Sequence, residues 1–373
     1  MKQEIVFNIN KLPQIITKLN CKKMFLVVGS SFNYLEIRNI IEGIKINKII
    51  FSDFMPNPLY EDICKGVDLF KTESCDVILA VGGGSAIDVS KCIKLAVLAV
   101  DGKNTLIPPL VNTRVQLDGS VIPLIAIPTT AGSGSESTHN AVMYYKGDKQ
   151  TVTNDGLLPE YAILDSSVLK TLPLYQKKCT IMDALCQGIE SWWSINSTEE
   201  SYKYSNKAIE LIMNNWHAYI FENNSDAATQ IMLGANYSGR AINITQTTAA
   251  HAMSYKLTSL YNFPHGHAVA SCLPSIWEYM LNHMDKCIDP RGEKYLYGVF
   301  KKITKAMGVK TPEEAIDLFK QMMVDMDLQQ PIAGNRDEEL NLLTSSVNPI
   351  RLNNNPVRLT TSDINDLYEI IVS

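Results

Sequence analysis

Three of the six histidines, His251, His265 and His267, fall within seventeen residues, downstream of an isolated Met182-Asp183-Ala184-Leu185-Cys186-Gln187 segment that carries a carboxylate. Imidazole and carboxylate are the donors a borderline divalent metal prefers, so this half of the chain reads first as a metal site. The segment around His251, Ala249-Ala250-His251-Ala252-Met253-Ser254-Tyr255, looks helical and apolar, a costly place for an imidazole with no partner. Asn262-Phe263-Pro264-His265-Gly266-His267 reads as a turn opening a second helix, with Pro264 at or just before its first turn. A helix N-terminus disfavours imidazolium and so biases such a histidine toward the neutral, metal-binding form.

A second signal is Ala80-Val81-Gly82-Gly83-Gly84-Ser85-Ala86-Ile87-Asp88-Val89-Ser90-Lys91. It lies between a strand pattern and a helix pattern, where glycines let backbone N–H groups approach a phosphate and the helix start favours an anion. It is neither a G-x-G-x-x-G fingerprint nor a Walker loop, which argues against phosphoryl transfer. Asp88 reads as a first-turn charge complementing the helix dipole. The segment from Ile127 to Ser137, with Thr129, Thr130, Gly132, Ser133 and Gly134, repeats the logic after the next strand. Together the two loops imply one dinucleotide.

These residues need a scaffold, and 373 residues at 46% apolar and 20% charged content make an ordinary globular protein of two domains. Strands are expected at Met24 to Val28, Lys48 to Phe51, Asp76 to Val81, Leu124 to Ile127 and Tyr161 to Leu164. Their near-continuous apolar character predicts a parallel sheet covered on both faces, hence an α/β domain over 1–172. From 173 to 373 the texture is helical: Met182 to Trp193, Glu199 to Phe221, Asp226 to Ile244, Thr245 to Leu260, His267 to Leu281, Lys294 to Met307, Thr311 to Met326 and Ser362 to Val372. A net charge of −5 without a basic block gives no reason to expect nucleic acid, and the apolar run from Ile93 to Val100 is interrupted by Lys94, so no membrane span is expected. Eight scattered cysteines with no C-x-x-C pair, and an N-terminus lacking a signal-peptide core, predict a cytoplasmic protein with reduced thiols.

Phe54-Met55-Pro56-Asn57-Pro58, the Gly82-to-Ser85 loop, Ile127 to Glu136, Asp183-Ala184-Leu185 and Pro264-His265-Gly266 occur in the order that resembles iron-containing (group III) alcohol dehydrogenases. The resemblance spans nearly the whole chain. It implies a dehydroquinate synthase-like fold: a dinucleotide-binding α/β domain, a helical C-terminal domain, and NAD(P) with a divalent metal, Fe2+ or Zn2+, in the cleft between. It implies metal ligands at Asp183, His251 and His265, and cofactor contacts from Asn57, Gly83, Gly84, Ser85, Thr129, Thr130, Ser133 and Lys149. A homodimer is also implied.

Two departures from the family pattern stand out. Gln187 sits where many members have a histidine four residues after the aspartate; its carbonyl either coordinates the metal or hydrogen-bonds a metal-bound water. Glycerol dehydrogenases of the same superfamily also look to manage with one Asp and two His. Tyr255 stands where many relatives carry a histidine near the nicotinamide; a phenol can protonate a developing alkoxide if a nearby cation, such as the adjacent Lys256, lowers its pKa. Gly29-Ser30-Ser31-Phe32-Asn33, after the first strand pattern, has no carboxylate to repel a 2′-phosphate, which tilts the cofactor toward NADPH.

Arg240, Asn243, Thr247 and Thr248 form a polar stripe leading toward His251, with Lys256 and His267 just beyond. Such a stripe suits an anionic aldehyde, with Arg240, Lys256 and His267 as its partners. The segment Thr247 to Tyr255 with His265-Gly266-His267-Ala268 is similar to the family branch of phosphonoacetaldehyde reductases, which implies 2-hydroxyethylphosphonate as product, a building block of phosphonate biosynthesis. The competing readings are a generic alcohol or aldehyde dehydrogenase acting on uncharged short-chain substrates, a lyase of the dehydroquinate synthase type, and a binding protein that has lost catalysis.

Overall fold

The computed structural model describes residues 3–108 and 121–373; Met1 and Lys2, the start of the N-terminal stretch read above, lie outside the described residues. The chain divides into two compact units, Met1–Leu172 and Pro173–Ser373.

The first unit contains β1 (Glu4–Val6), α1 (Leu12–Leu19), β2 (Lys23–Val28), α2 (Arg38–Gly43), β3 (Asn47–Phe51), α3 (Tyr60–Thr72), β4 (Val77–Gly82), α4 (Gly84–Leu98), β5 (Leu124–Pro128), β6 (Asn140–Tyr145), β7 (Asp148–Thr153) and β8 (Tyr161–Ile163). Six strands form one all-parallel sheet in the order β1-β8-β5-β4-β2-β3. Every residue of β4 and β5 is buried, which explains why these strands read as unbroken apolar runs. The chain steps outward from β2 to β3, then returns to the other side of β2 as β4. That reversal puts the carboxyl ends of β2 and β4 side by side, where Gly29 N–H donates to Val81 O at 3.1 Å, and crevices at such reversals are where α/β sheets bind ligands.

The strand β1 and the antiparallel hairpin β6–β7 were not expected. The hairpin turn is Lys146-Gly147, both with positive φ (51° and 87°). A tight turn of this kind is signalled in sequence by Asn-Gly or Asp-Gly, and lysine in the first position hides it.

The second unit is helical: α5 (Leu174–Trp193), α6 (Glu199–Phe221), α7 (Ser225–Thr245), α8 (Ala249–Leu260), α9 (His265–Asn282), α10 (Glu293–Ala306), α11 (Pro312–Asp325), α12 (Arg336–Ser346) and α13 (Thr361–Ile371). Helix α5 is buried on all sides from Ile181 to Trp193, packed by α6, α7 and α9. It starts eight residues before the expected Met182. The expected continuous helix from Thr245 is instead interrupted at Gln246, whose φ of +59° ends α7, and α8 begins only at Ala249. Helix α12 was not expected; its exposed, acidic first turn and weak apolar stripe gave little periodic signal. No helix among the described residues is long and apolar enough to cross a membrane, and none of the eight cysteines is in a disulfide.

Candidate metal and dinucleotide sites

Asp183, Gln187 and Glu190 lie four and three residues apart, on one face of α5. His251 enters in the first turn of α8, and His265 is the first residue of α9 after Pro264. One donor atom each from Asp183, His251 and His265 lie within 4.8 Å of one another. The rings of His251 and His265 are 5.3 Å apart at 67°, and His251 Nε2 is 3.3 Å from Asp183 Oδ1. Gly266 makes this approach possible: a Cβ there would lie 2.0 Å from the Cys179 carbonyl oxygen and 2.8 Å from Asp183 Cβ, so only glycine lets the start of α9 press against α5.

Glu190, which the sequence reading passed over, organises the cluster from behind. It is fully buried; its Oε1 accepts from the backbone N–H groups of Thr248 (3.1 Å), Ala250 (3.1 Å) and His251 (3.3 Å) and from Thr248 Oγ1 (2.8 Å). A carboxylate thus caps α8 where the helix dipole favours negative charge. Its Oε2 bonds His251 Nδ1, which fixes the ring and turns Nε2 toward Asp183, the outer-carboxylate arrangement common behind metal-bound histidines. The available signal was its spacing, two helical turns beyond Asp183 in an otherwise apolar helix.

Burial, the largest single influence on His251, pulls its pKa down, but Glu190 and Asp183 together outweigh it and raise it to about 9. A pocket that does this to a buried imidazole attracts positive charge, whether proton or metal ion. Two carboxylates and two imidazoles, all buried except the partly exposed His265, fit a divalent cation. Gln187 is buried, and its Nε2 donates to Asp183 Oδ1 at 3.3 Å.

Tyr255, one turn after His251, stacks on His265 with centroids 6.0 Å apart and 13° between planes. The cation at its hydroxyl is not the adjacent Lys256 but Arg351, whose Nη1 donates to Tyr255 Oη at 3.3 Å with Cζ 5.2 Å from the ring centre. Lys256 is half-buried, and its ammonium has no partner among the described residues.

Two of the expected substrate contacts need correction. Ser238 and Thr245 of α7 face α5, bonding Ala184 O (2.6 Å) and Ser191 Oγ (2.8 Å). Arg240, two residues from Ser238 and so about 200° around the helix, points elsewhere: its guanidinium lies over the rings of Tyr204 (5.7 Å) and Tyr237 (5.8 Å). His267 has both nitrogens engaged, Nδ1 with Tyr175 Oη and Nε2 with Gln329 O, each at 2.8 Å, and it stacks on Phe263 at 4.1 Å. It is a satisfied core histidine.

In the first unit, the two small-residue loops meet. Thr129 N–H donates to Gly82 O at 3.0 Å; a Cβ on Gly84 would lie 2.9 Å from Ser133 Oγ, and one on Gly83 would lie 3.4 Å from Thr130. Gly83, Gly84, Ser85, Thr130 and Ser133 are partly exposed at this junction, at the start of α4, so backbone donors and hydroxyls converge on the kind of cradle that phosphates use. Asn57 is exposed in a turn with φ +61°, and the next residue's carbonyl, Pro58 O, accepts from Tyr144 N at 2.8 Å. Lys149 stands on β7 with its charge acting on Asp88. Asp88 does more than complement a dipole: its Oδ1 accepts from Ser135 Oγ and its Oδ2 from Val142 N at 3.0 Å. Lys91, fully buried, donates to Ser135 O (2.6 Å), Ser135 Oγ (3.2 Å), Thr138 Oγ1 (3.0 Å) and Asn140 O (2.7 Å). Together they pin the second loop and the hairpin onto α4.

Residues 3–166 match the family model for iron-containing alcohol dehydrogenase, and residues 178–372 match the C-terminal model of the same family. The chain is an oxidoreductase of the iron-containing alcohol dehydrogenase family, acting between aldehydes and alcohols. It is 31% identical to a phosphonoacetaldehyde reductase of Streptomyces viridochromogenes over 78% of this chain and 75% of that protein. It is 27% identical to lactaldehyde reductase of Escherichia coli K12 over 86% of this chain and 83% of that protein. Its fold matches that of sulfoacetaldehyde reductase from Bifidobacterium kashiwanohense in complex with NAD+, with a TM-score of 0.86 over 100% of this chain and 99% of that one, at 24% identity.

Proposed function

We propose that this oxidoreductase reduces phosphonoacetaldehyde to 2-hydroxyethylphosphonate with NADPH, or NADH, and a divalent metal held by Asp183, His251 and His265. The convergence of those three side chains carries the reaction type, and the likeness to the Streptomyces enzyme supports the substrate. When bound, the ion supplies Lewis acidity at a carbonyl oxygen and the reduced nicotinamide supplies a hydride.

The protein's own groups do the positioning. Glu190 keeps the Nδ1 proton of His251, so the Nε2 lone pair faces the cluster. Gln187 orients Asp183, and turning its amide over would offer an oxygen as a further ligand. The Tyr255 hydroxyl, with Arg351 donating to it, is the proton source for the product alkoxide, directly or through water. Gly83, Gly84, Ser85, Thr129, Thr130 and Ser133 hold the dinucleotide phosphates, with Asn57 and Lys149 at the periphery of that cradle. The run Gly29 to Asn33 after β2 contains no carboxylate, which supports NADPH. Eight free thiols support a reducing compartment, the cytoplasm, and the family resemblance supports a homodimer.

The test is metal analysis of the purified protein followed by NADPH and NADH oxidation with phosphonoacetaldehyde, butyraldehyde and glycolaldehyde. The expected result is one metal per chain and the highest kcat/KM with phosphonoacetaldehyde. A preference for butyraldehyde would leave a generic alcohol dehydrogenase instead.

A further inference from the structure

The polar stripe read from the sequence ahead of His251 turns inward at Thr248. Thr248 is the N-cap residue of α8, yet its side chain bonds none of the helix's own N–H groups. Glu190 takes the N–H groups of Ala250 and His251, which a capping side chain normally bonds, so the Thr248 hydroxyl has another use. Trp193 Nε1, on α5, donates to Thr248 Oγ1 at 2.9 Å, and Thr248 Oγ1 lies 2.8 Å from Glu190 Oε1. An indole N–H can only donate and a hydroxyl has a single proton, so that proton points at Glu190. It makes the shortest of the four bonds on Oε1, the three backbone N–H groups standing at 3.1 to 3.3 Å.

We infer that Thr248 is a positioning residue for the metal: its hydroxyl holds the Glu190 carboxylate, and through it the His251 ring, in the orientation that aims Nε2 at the cluster, and so sets how tightly the cation is bound. The inference rests on the proposed metal site at Asp183, His251 and His265. With Oε1 occupied by four donors, Oε2 is the oxygen turned to His251 Nδ1. Trp193, Thr248 and Glu190 are each at most 1% exposed, so solvent does not compete for the carboxylate, and a hydrogen bond to a charged group is at its strongest in such a setting.

The backbone is bent to make this contact. Gln246 has φ +59° and ψ 179°, a conformation that residues with a side chain rarely adopt and that persists only where the surroundings impose it. Those surroundings are the end of α5, where Ser191 Oγ accepts from Thr245 Oγ1 at 2.8 Å and Ser194 Oγ donates to Thr245 O at 3.4 Å, next to the Trp193 and Glu190 contacts with Thr248. An uninterrupted helix from α7 into α8 would satisfy the Ala250 and His251 N–H groups with its own carbonyls and leave Glu190 buried without them. The break therefore places Thr248 and the start of α8 on the one carboxylate that stands behind His251.

The experiment titrates Zn2+ against a chromophoric chelator with metal-free wild type, T248V, T248S and W193F, with urea unfolding of each protein alongside. T248V keeps the shape of the side chain and removes the hydroxyl, and is expected to weaken Zn2+ binding about tenfold, the low end of the loss for groups behind metal ligands. T248A, judged in the same way, replaces it if the valine variant does not fold. T248S keeps the hydroxyl and should stay within about twofold of wild type. W193F removes a buried donor but leaves the Thr248–Glu190 bond in place, so it should lose far less affinity than T248V even where its unfolding midpoint falls as far. In an E190Q background T248V should weaken binding by less than about twofold more, because its effect runs through the carboxylate. Wild-type affinity in T248V would overturn the inference while leaving the metal site standing, as would equal losses in T248V and W193F or an undiminished loss in the E190Q background. A wild type that binds no Zn2+ would overturn the metal site and this inference with it.

Discussion

The two units each bury a charged network, and the two networks balance their charge differently. In the first, the Lys91 ammonium is surrounded by four oxygen acceptors, and Ser135 links it to Asp88. Burial pushes the Lys91 pKa down to about 8, against the pull of Asp88 and Glu136, and with Lys149 also acting on Asp88 two positive charges meet two negative. In the second, Asp183 and Glu190 face two histidines, and the pKa of His251 rises instead. The first network is complete in itself and works as a staple for a loop. The second has an excess of negative charge, which a divalent cation would satisfy. Burial alone therefore does not mark a functional charge cluster; an unbalanced charge does.

Breaking the unbalanced side should have the largest effect. Asp183→Asn removes a charge from the candidate metal cluster, and kcat is expected to fall roughly 1,000-fold, the equivalent of several kcal/mol of lost Lewis-acid assistance, with metal stoichiometry well below one by elemental analysis. Lys91→Met attacks the balanced side. It strips Asp88 of its main countercharge, leaving only Lys149, and should cost about 3 kcal/mol in urea-unfolding free energy while metal stoichiometry stays intact. Loss of metal from that variant would mean the two networks are not independent.

Glu190→Gln keeps the shape of the outer carboxylate but not its charge, and should weaken metal affinity about 10- to 100-fold in a chelator competition. The pH dependence sharpens the same contrast. Because the folded pKa of His251 is raised to about 9 from 6.5, its protonation stabilises the metal-free protein fully below about pH 6.5 and ceases to do so as pH rises through about 9. Metal binding, which needs the neutral ring, should strengthen across the same window. Thermal melts of chelator-treated and metal-loaded protein at several pH values should therefore diverge with rising pH; parallel curves would sink this account. The smallest effect is expected for Arg240→Ala: less than about threefold in kcat/KM for phosphonoacetaldehyde, and a stability loss of about 1 kcal/mol from the two ring contacts.

Legibility in the sequence followed the range of the interactions involved. The glycine loop and the hydroxyl-rich loop are contiguous segments at strand ends, so their small residues mark a candidate phosphate cradle before any fold is known. Asp183, His251 and His265 were legible because metal donors in apolar helical segments are conspicuous, and the five ordered motifs led to the correct family and fold. Glu190 was only half legible, through its spacing from Asp183. Arg240 and His267 misled because residue type was read without knowing which way each side chain turns.

The order of residues by itself determined the parallel sheet, the helical second half, the family and the donors available to a metal, since these depend on local periodicity and residue chemistry. Only the tertiary structure decided that Glu190 stands behind His251, that Gly266 must be glycine against the Cys179 carbonyl, and that Arg351, 96 residues after Tyr255, supplies its cation. Those are long-range contacts, fixed by how helices pack against one another, and no stretch of neighbouring residues contains them.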